Sequence, residues 1–263
     1  MAGVNSSEIM EVIVHGKREK VQGSVARYNG AMSGILYVIG TSIGNLGDIT
    51  LRAIEALDKI EILYCEDSRV AARLINHLIE TGKITKKPKY VPYNEFNESR
   101  MGEVVAGSVA DGLVVGLVTD AGMPGISDPG YRAIRACHDK GLTVQVIPGV
   151  TALTTALPYS GIGGEVTIYA GFLPKTSGKA ERILEASKVM MESLGTGRVV
   201  LYVSPHRLVK DLELIKSVMG NVMCVLCREL TKMYEERIEG RADELIEKYK
   251  NGVKGELVLI VRL

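Results

Sequence analysis

The feature that most constrains the fold of this 263-residue chain is a regular alternation of short apolar runs with helix-like segments from Ile35 onward. Runs such as 35–39 and 113–118 are almost continuously apolar, as expected for strands of a parallel sheet that is covered on both faces. Helical patterns separate these runs, so the sequence predicts βα units. We therefore expect an α/β fold with a mainly parallel sheet in the N-terminal half and a smaller mixed α/β sheet in the C-terminal half.

A segment rich in turn residues, 158–164, interrupts this alternation and is the predicted boundary between two domains. The length of the chain suits two domains of ordinary size. The predicted domains are an N-terminal α/β domain at 35–160 and a C-terminal α/β domain at 161–263. Residues 1–34 lie outside the pattern, and their Gly and Ser content predicts a loosely packed leader, with an edge strand at 11–14 as the alternative.

Composition narrows the class of function. Lys and Arg together number 32, Asp and Glu 31, and the net charge is +1. A protein that coats nucleic acid normally carries a large basic excess, so that class is disfavoured. The first thirty residues contain no apolar core of a signal peptide, and no apolar run approaches the ~18 residues of a membrane span. We expect a cytoplasmic protein that does not enter a membrane.

The four cysteines, at positions 65, 137, 224 and 227, are too few and too scattered for a disulfide framework. Cys224 and Cys227 form a C-x-x-C pair, a spacing found in zinc and redox sites. They lie in a predicted strand, however, where positions three apart point to opposite faces. Two buried structural thiols are the favoured interpretation. Because no His, Cys, Asp or Glu residues have metal-ligand spacing, we predict no metal site.

Two glycine-rich turns follow predicted strands and point to a ligand site. The first, Gly40–Gly47, lacks the G-x-G-x-x-G spacing of dinucleotide-binding folds, and the sequence contains no P-loop motif. The second, Thr119–Gly130, has three glycines and two prolines and places Asp120 at the tip of a central strand. Open α/β sheets bind ligands at the carboxyl ends of their strands, which favours a binding role for this turn. Asp128 and Pro129 have the residue types of a helix N-cap and first helical position.

Polar segments follow other predicted strands at the same edge of the sheet. Glu66–Arg69 follows the second strand, and Tyr93–Glu98 follows the third. Taken singly, each is typical of a helix cap or a solvated turn, but together they predict a polar cleft. In the second half, His206 follows a strand, and it is either a general base or a structural residue at a helix start.

Six segments, in this order along residues 35–262, resemble the motifs of the small-subunit ribosomal RNA (cytidine 2'-O-)-methyltransferases, a family of the tetrapyrrole methylase superfamily. The segments are Leu36–Thr50, Cys65–Arg69, Asp120–Tyr131, Gly171–Pro174, Ser204–Arg207 and Arg228–Lys232. The resemblance implies a two-domain, tetrapyrrole-methylase-like fold that forms a homodimer. It further implies that S-adenosyl-L-methionine is held in the cleft between the domains, and that small-subunit ribosomal RNA is the substrate.

The resemblance also implies which residues contact the cofactor. By motif these are Ile43, Asp120, Met123, Ile126, Thr151, Ala152, Tyr202 and Arg228. A ribose 2'-hydroxyl is a weak acid, so we expect a carboxylate or another base to assist its reaction. Glu66 and Asp67, with Arg69 beside them, are the favoured catalytic residues, and Glu95, His206 and Glu229 are the alternatives as base. The predicted substrate contacts are Asn45, Glu95, His206, Arg207 and Lys232.

The sequence departs from this family at several points. Pro148-Gly-Val-Thr-Ala replaces Pro-Gly-Pro-Ser-Ala and keeps a hydroxyl, whereas Tyr202-Val-Ser-Pro-His replaces Tyr-Glu-Ser-Pro-His and loses a carboxylate. The sequence stops at Leu263, where many family members continue into a small helical domain. We therefore expect the target to be RNA in a partly assembled subunit, with cations at 83–89 and at Arg207 near the cleft.

Two other functions stay open from the sequence alone. One is a methyltransferase of the same superfamily that acts on a tetrapyrrole or on a protein side chain. The other is a cofactor-binding ribosome assembly factor without catalytic turnover, which the altered motif after Tyr202 would allow. Methylation assays on the three classes of acceptor distinguish these possibilities.

Overall fold

The structure is a computed structural model that describes residues 9–14, 17–22 and 34–263. Strands β1 (Ile9–Val14) and β2 (Lys17–Gln22) pair antiparallel as a separate two-stranded sheet. The segment considered as an edge strand, 11–14, therefore pairs within this hairpin. Most of the predicted leader lies outside the described residues, and its loose packing stays a prediction.

The N-terminal half folds around a five-stranded sheet in which every pair of neighbouring strands is parallel. Its strands are β3 (Ile35–Ile39), β4 (Ile62–Cys65), β5 (Lys89–Pro92), β6 (Val114–Val118) and β7 (Thr143–Ile147), in the order β5-β4-β6-β3-β7. The central strands β6 and β3 are largely buried, as their apolar sequences predict. The predicted α/β class and the parallel N-terminal sheet are confirmed.

Four helices cover the two faces of this sheet. Helices α1 (Leu51–Lys59) and α2 (Ser68–Glu80) lie on one face, and α3 (Glu98–Ala110) and α4 (Tyr131–Asp139) lie on the other. Each helix buries a stripe of small and aliphatic residues at helical spacing, such as Ala71, Ile75 and Leu78 in α2. Among the described residues, no helix is both long and apolar enough to cross a membrane.

The predicted capping of α4 by Asp128 is wrong. The helix begins at Tyr131 after Gly130, which adopts a φ of 152° that strongly favours glycine. The backbone N–H of Gly130 instead donates to the Glu98 carboxylate at 3.3 Å. The Tyr93 hydroxyl caps the helix by accepting from the Ala133 backbone N–H at 3.1 Å, so the Asp128 side chain is left for another environment.

The C-terminal half contains a mixed five-stranded sheet. Its strands are β8 (Thr167–Phe172), β9 (Arg198–Val203), β10 (Met223–Arg228), β11 (Glu236–Arg241) and β12 (Leu257–Arg262), in the order β11-β10-β12-β9-β8. Only β8 and β9 are parallel neighbours. Edge strand β11 is absent from the sequence-based prediction, because charged residues dominate it and only Ile238 and Gly240 are buried.

Helices cover both faces of the second sheet. Helices α6 (Ser177–Leu194), α7 (Leu208–Met219) and α8 (Ala242–Tyr249) pack on one face, and α5 (Ala152–Ser160) packs on the other. Helix α5 belongs by sequence to the predicted first domain, yet its Ala156 joins a cluster with Val200 and Val258 of the second sheet. The two halves therefore share an apolar interface, and the predicted domain limits stay predictions.

Cys224 and Cys227 lie on opposite faces of β10, as predicted. Cys224 packs in the cluster beneath α6 to α8, and Cys227 packs in the cluster beneath α5. Both thiols are free and buried, and burial raises their pKa values to about 12 and about 11. This environment makes them inert structural side chains.

Candidate functional site

A pocket of about 450 Å³ lies between the two sheets, at the carboxyl ends of β3, β4 and β6. The first half contributes Ile43, Glu66, Asp120–Met123, Ile126, Asp128, Thr151 and Ala152. The second half contributes Phe172, Tyr202–Pro205, Leu230 and Gly255–Val258. The pocket therefore occupies the position at which open α/β sheets bind ligands.

Two glycines let the loops of the first sheet meet at the floor of this pocket. A Cβ atom on Gly149, after β7, would lie 2.9 Å from the carbonyl carbon of Gly40, which follows β3. A Cβ atom on Gly40 would lie 2.4 Å from the Met123 sulfur. The backbone N–H of Thr41 donates to the Gly122 carbonyl at 2.8 Å. These contacts hold the loops after β3, β6 and β7 in one fixed arrangement.

Four carboxyl groups line the pocket, on Glu66, Asp120, Asp128 and Glu256. Burial, together with the neighbouring carboxylates, raises the pKa of Glu66 and of Asp120. Burial and the charges of the other three raise the pKa of Asp128 to about 7. The pocket is therefore rich in negative charge and suits a ligand with a cationic group. No group of three or more His, Cys, Asp or Glu side chains within the described residues could hold a metal ion.

The other wall combines apolar and hydroxyl groups. The Tyr202 hydroxyl accepts a hydrogen bond from the Leu153 backbone N–H at 3.1 Å, and burial raises the pKa of this phenol. Its ring packs edge to face against Tyr169 and Phe172, with centroids 5.3 and 5.6 Å away. The Thr151 hydroxyl caps α5 by accepting from the Thr154 backbone N–H at 3.1 Å. Such a wall fits a ligand with an aromatic part and several polar groups.

Most of the predicted cofactor contacts line this one pocket. They are Ile43, Asp120, Met123, Ile126, Thr151, Ala152 and Tyr202. Arg228 is outside the lining. Its guanidinium donates to the Lys254 carbonyl at 2.7 Å and pairs with Glu236 at 3.2 Å.

The three predicted catalytic residues separate into two environments. Glu66 lines the pocket. The Asp67 carboxylate instead accepts from the Arg69 backbone N–H at 2.8 Å and pairs with the Arg69 guanidinium at 2.6 Å, which lowers the pKa of Asp67 to about 2. The backbone N–H of Asp67 donates to Asp120 at 3.0 Å and so helps to orient that pocket residue.

The predicted substrate contacts do not form one surface. Glu95 and His206 are exposed, and His206 follows the pocket residue Pro205 in sequence. Asn45 closes its own turn by accepting from the Gly47 N–H at 2.9 Å. Arg207 binds the Leu173 and Pro174 carbonyls and the Asp211 carboxylate, so it holds the fold of the second half. Lys232 is bound between Glu229 and Glu256, each at 3.1 Å.

The expectation of cations at 83–89 beside the cleft is wrong. Lys89 opens β5 and lies in register with Ile62, the first residue of β4. The lysine-rich segment therefore lies at the amino ends of the parallel strands, whereas the pocket lies at their carboxyl ends. The lysine-rich segment precedes its strand in the sequence and does not follow it. That position is the signal that excludes the segment from the site.

Several pocket residues are not predicted from the sequence, among them Asp128, Phe172 and Glu256. The sequence predicts Asp128 as a helix cap, and Phe172 stands in a motif to which no contact is assigned. Glu256 precedes β12, and strand ends of this kind are not expected to carry site residues. Because β12 runs antiparallel to β9, its first residue Leu257 pairs with Val203 at the end of β9. Only that pairing brings Glu256 to the pocket.

Comparison with known proteins places the chain among methyltransferases. Residues 35–246 match the family described as tetrapyrrole (corrin/porphyrin) methylases. Two proteins named ribosomal RNA small subunit methyltransferase I are similar over most of the chain. The one from Halalkalibacterium halodurans is 38% identical and aligns over 87% of this chain and 75% of its own length. The one from Hydrogenobaculum sp. is 39% identical and aligns over 86% of this chain and 94% of its own length.

The fold also matches solved structures. Uroporphyrin-III C-methyl transferase from Thermus thermophilus, solved in complex with S-adenyl homocysteine, superposes with a TM-score of 0.59 at 20% sequence identity. The match covers 87% of this chain and 97% of that one. At this identity the likeness concerns the fold alone.

Proposed function

Because this chain belongs to the tetrapyrrole (corrin/porphyrin) methylase family, we propose that it is a methyltransferase that uses S-adenosyl-L-methionine to methylate small-subunit ribosomal RNA. The acceptor that we propose within the RNA is the ribose 2'-oxygen of a cytidine. The observation that carries the proposal is the pocket between the sheets, whose lining includes seven of the eight residues that the family resemblance assigns to the cofactor. The similarity to ribosomal RNA methyltransferases over most of the chain supports the choice of RNA.

The pocket residues fit this cofactor in size and chemistry. When bound, S-adenosylmethionine supplies a methyl group on a positively charged sulfonium. The apolar side chains of Ile43 and Met123 would pack on its flat ring system, and the carboxylate of Asp120 would offset its positive charge. Hydroxyl groups on Thr151 and Tyr202 add hydrogen-bonding positions on the opposite wall.

The residues that would handle the acceptor hydroxyl are the pocket carboxyls. Glu66 has a pKa raised by burial, which makes it a stronger base than Asp67, whose carboxylate is bound to Arg69. Asp128, with its pKa of about 7, joins Glu66 as a proton acceptor in this proposal. Arg69 is 88% exposed and is the proposed phosphate contact at this edge.

The setting of the reaction is part of the same proposal. We infer a cytoplasmic homodimer that acts on RNA in a partly assembled small subunit. Sedimentation of the purified chain, alone and with subunits stripped of late-assembling proteins, tests both points. A monomer at micromolar concentration would contradict the dimer.

The test of the function is methyl transfer with labelled cofactor to three acceptors. Small ribosomal subunits, a porphyrinoid and a translation factor are each incubated with the protein and tritiated S-adenosylmethionine. We expect label only in subunit RNA, at one ribose that resists alkaline cleavage after the reaction. Label in either of the other acceptors would replace the proposed substrate, and cofactor binding without any product would indicate an assembly factor.

A further inference from the structure

An exposed surface beside the pocket combines two aromatic rings with two guanidinium groups. It consists of Phe96, on the loop before α3, Arg100 in the first turn of α3, and Tyr131 and Arg132 at the start of α4. We call it the aromatic–arginine surface. Phe96 is 90% exposed and Tyr131 is 68% exposed. Exposed aromatic rings next to a ligand site are well suited to contact a partner.

The loop that carries Phe96 has a fixed conformation. The Asn94 side chain accepts from the Phe96 backbone N–H at 3.1 Å, and the Asn97 side chain accepts from the Asn94 N–H at 2.9 Å. The Asn97 amide also donates to the Pro92 carbonyl at 3.1 Å. A ring presented in this way loses little conformational entropy when it binds a partner.

The same loop is tied to the start of α4, which places the segment 96–100 beside the segment 131–132. The Tyr93 hydroxyl accepts from the Ala133 N–H at 3.1 Å and donates to Glu98 at 3.4 Å. Glu98 in turn accepts from the Gly130 N–H at 3.3 Å. Where α3 and α4 touch, a Cβ atom on Gly102 would lie 3.0 Å from the Arg132 carbonyl oxygen.

This surface adjoins the mouth of the pocket. Strand β5 lies next to β4, so the loop after β5 stands beside Glu66, which lines the pocket. On the other side, Asp128 lines the pocket two residues before the Gly130 that Glu98 binds. A chain lying across the surface would therefore reach the pocket directly.

The two arginines differ in their pairing from three others near the site. The guanidinium groups of Arg69, Arg207 and Arg228 are each paired with a carboxylate. Within residues 34–263, neither Arg100 nor Arg132 forms an ion pair or a side-chain hydrogen bond. Both are exposed, and an unpaired guanidinium next to a polar site is well suited to phosphate.

We propose that the aromatic–arginine surface binds the single-stranded RNA that flanks the nucleotide in the pocket. Bases stack on Phe96 and Tyr131, and Arg100 and Arg132 bind the intervening phosphates. The inference rests on the proposed function, because it supplies the RNA-docking surface of that same site. Exposed rings alternating with free guanidinium groups fit a nucleic acid better than they fit an apolar protein partner.

The experiment measures methyl transfer to small subunits with the variants Phe96→Ala, Tyr131→Ala and the double change Arg100→Gln with Arg132→Gln. Each is expected to raise KM for the RNA substrate about 5- to 50-fold, the range for loss of one stacked base or of two phosphate contacts. The kcat value and the affinity for S-adenosylhomocysteine, measured by calorimetry, should stay within about twofold of the wild type. Val189→Ala and Arg182→Gln, on exposed positions of α6, are the matched controls and should leave KM unchanged.

Replacement of the ring distinguishes stacking from general apolar contact. Phe96→Trp is expected to keep the wild-type KM, and Phe96→Leu is expected to behave like Phe96→Ala. If the wild-type enzyme methylates subunits, a normal KM for Phe96→Ala overturns the inference. A wild-type KM for Phe96→Leu overturns it too. Absence of methyl transfer by the wild type contradicts the proposed function instead, and direct binding of a labelled RNA fragment to the same variants then tests the surface separately.

Discussion

Asp128 stands among three other carboxyl groups in the pocket, and its pKa of about 7 has a consequence for stability. The unfolded chain would ionise this group near pH 4, so folding raises its pKa. A carboxyl group with a raised pKa in the folded state destabilises the fold as it ionises. This cost is absent below about pH 4, grows between pH 4 and 7, and is complete above pH 7.

Asp128→Asn should therefore increase the free energy of unfolding at pH 8 by about 1–3 kcal/mol, less than the full shift implies because the group is partly solvated. The gain should vanish at pH 4. Denaturant unfolding at pH 4, 6 and 8 measures it. Asp67→Asn is the control and should lower the free energy of unfolding above about pH 4. Pairing with Arg69 lowers the pKa of Asp67 and stabilises the fold in that range. An equal increase in the free energy of unfolding of Asp128→Asn at every pH would contradict the raised pKa of Asp128.

Glu66 and Asp67 are neighbours in sequence but differ in what they can do. Glu66 lines the pocket, and Asp67 is held by Arg69. We expect Glu66→Gln to slow single-turnover methyl transfer by roughly 10²- to 10⁴-fold and Asp67→Asn to slow it far less. Cofactor affinity, measured by calorimetry, should change little in either variant. Equal rates for wild type and Glu66→Gln would transfer the role of base to Asp128.

At the scale of elements, the positions of strands and helices follow closely from the apolar pattern. Strand β3 begins and ends where the sequence predicts, and β6 begins one residue later than its predicted run. The pattern fails where another residue performs the expected task. The Tyr93 hydroxyl, and not Asp128, caps the start of α4, and β11 carries too few apolar residues to be recognised. Both depend on contacts between distant segments, which local sequence does not encode.

The same distinction applies to the site. The loops after β3, β4 and β6 are recognisable because they follow strands and carry glycines and carboxylates. Glu256 reaches the pocket only because β12 pairs antiparallel with β9. Arg207 and Lys232 have the residue type of phosphate contacts, yet Asp211 and Glu229 bind them within the fold. Residue type alone cannot distinguish a free cation from a paired one.

The close approach of Gly40 and Gly149 gives a prediction for the loops that form the pocket floor. A methyl group on Gly149 would meet backbone atoms of Gly40, so the two loops must separate. Gly149→Ala should lower the free energy of unfolding by about 1–3 kcal/mol and weaken cofactor binding. Gly107→Ala in α3 is the control, because nothing lies within 4 Å of its Cβ position and alanine favours a helix. Thermal unfolding and calorimetry measure both variants, and normal cofactor affinity in Gly149→Ala would contradict the proposed role of this contact.

At the scale of the whole molecule, charge limits how the protein can hold RNA. The net charge is +1, and several basic side chains near the site are neutralised by carboxylates. The pocket itself is acidic and repels phosphate. RNA must therefore be bound by a small number of exposed cations outside the pocket, together with stacking, which depends little on salt.

This charge distribution predicts a weak salt dependence of RNA binding. With two to four phosphate contacts, the plot of log affinity against log salt concentration should have a slope of about −1.4 to −2.8, since each contact to a single strand contributes about −0.7. Changing Arg100 and Arg132 together to Gln should reduce the magnitude of the slope by about 1.4, and Phe96→Ala should lower the affinity without changing the slope. Fluorescence anisotropy with a labelled RNA fragment between 50 and 300 mM salt measures all three proteins. A wild-type slope steeper than about −5 would require many more cations than this surface offers and would assign RNA binding to another part of the molecule.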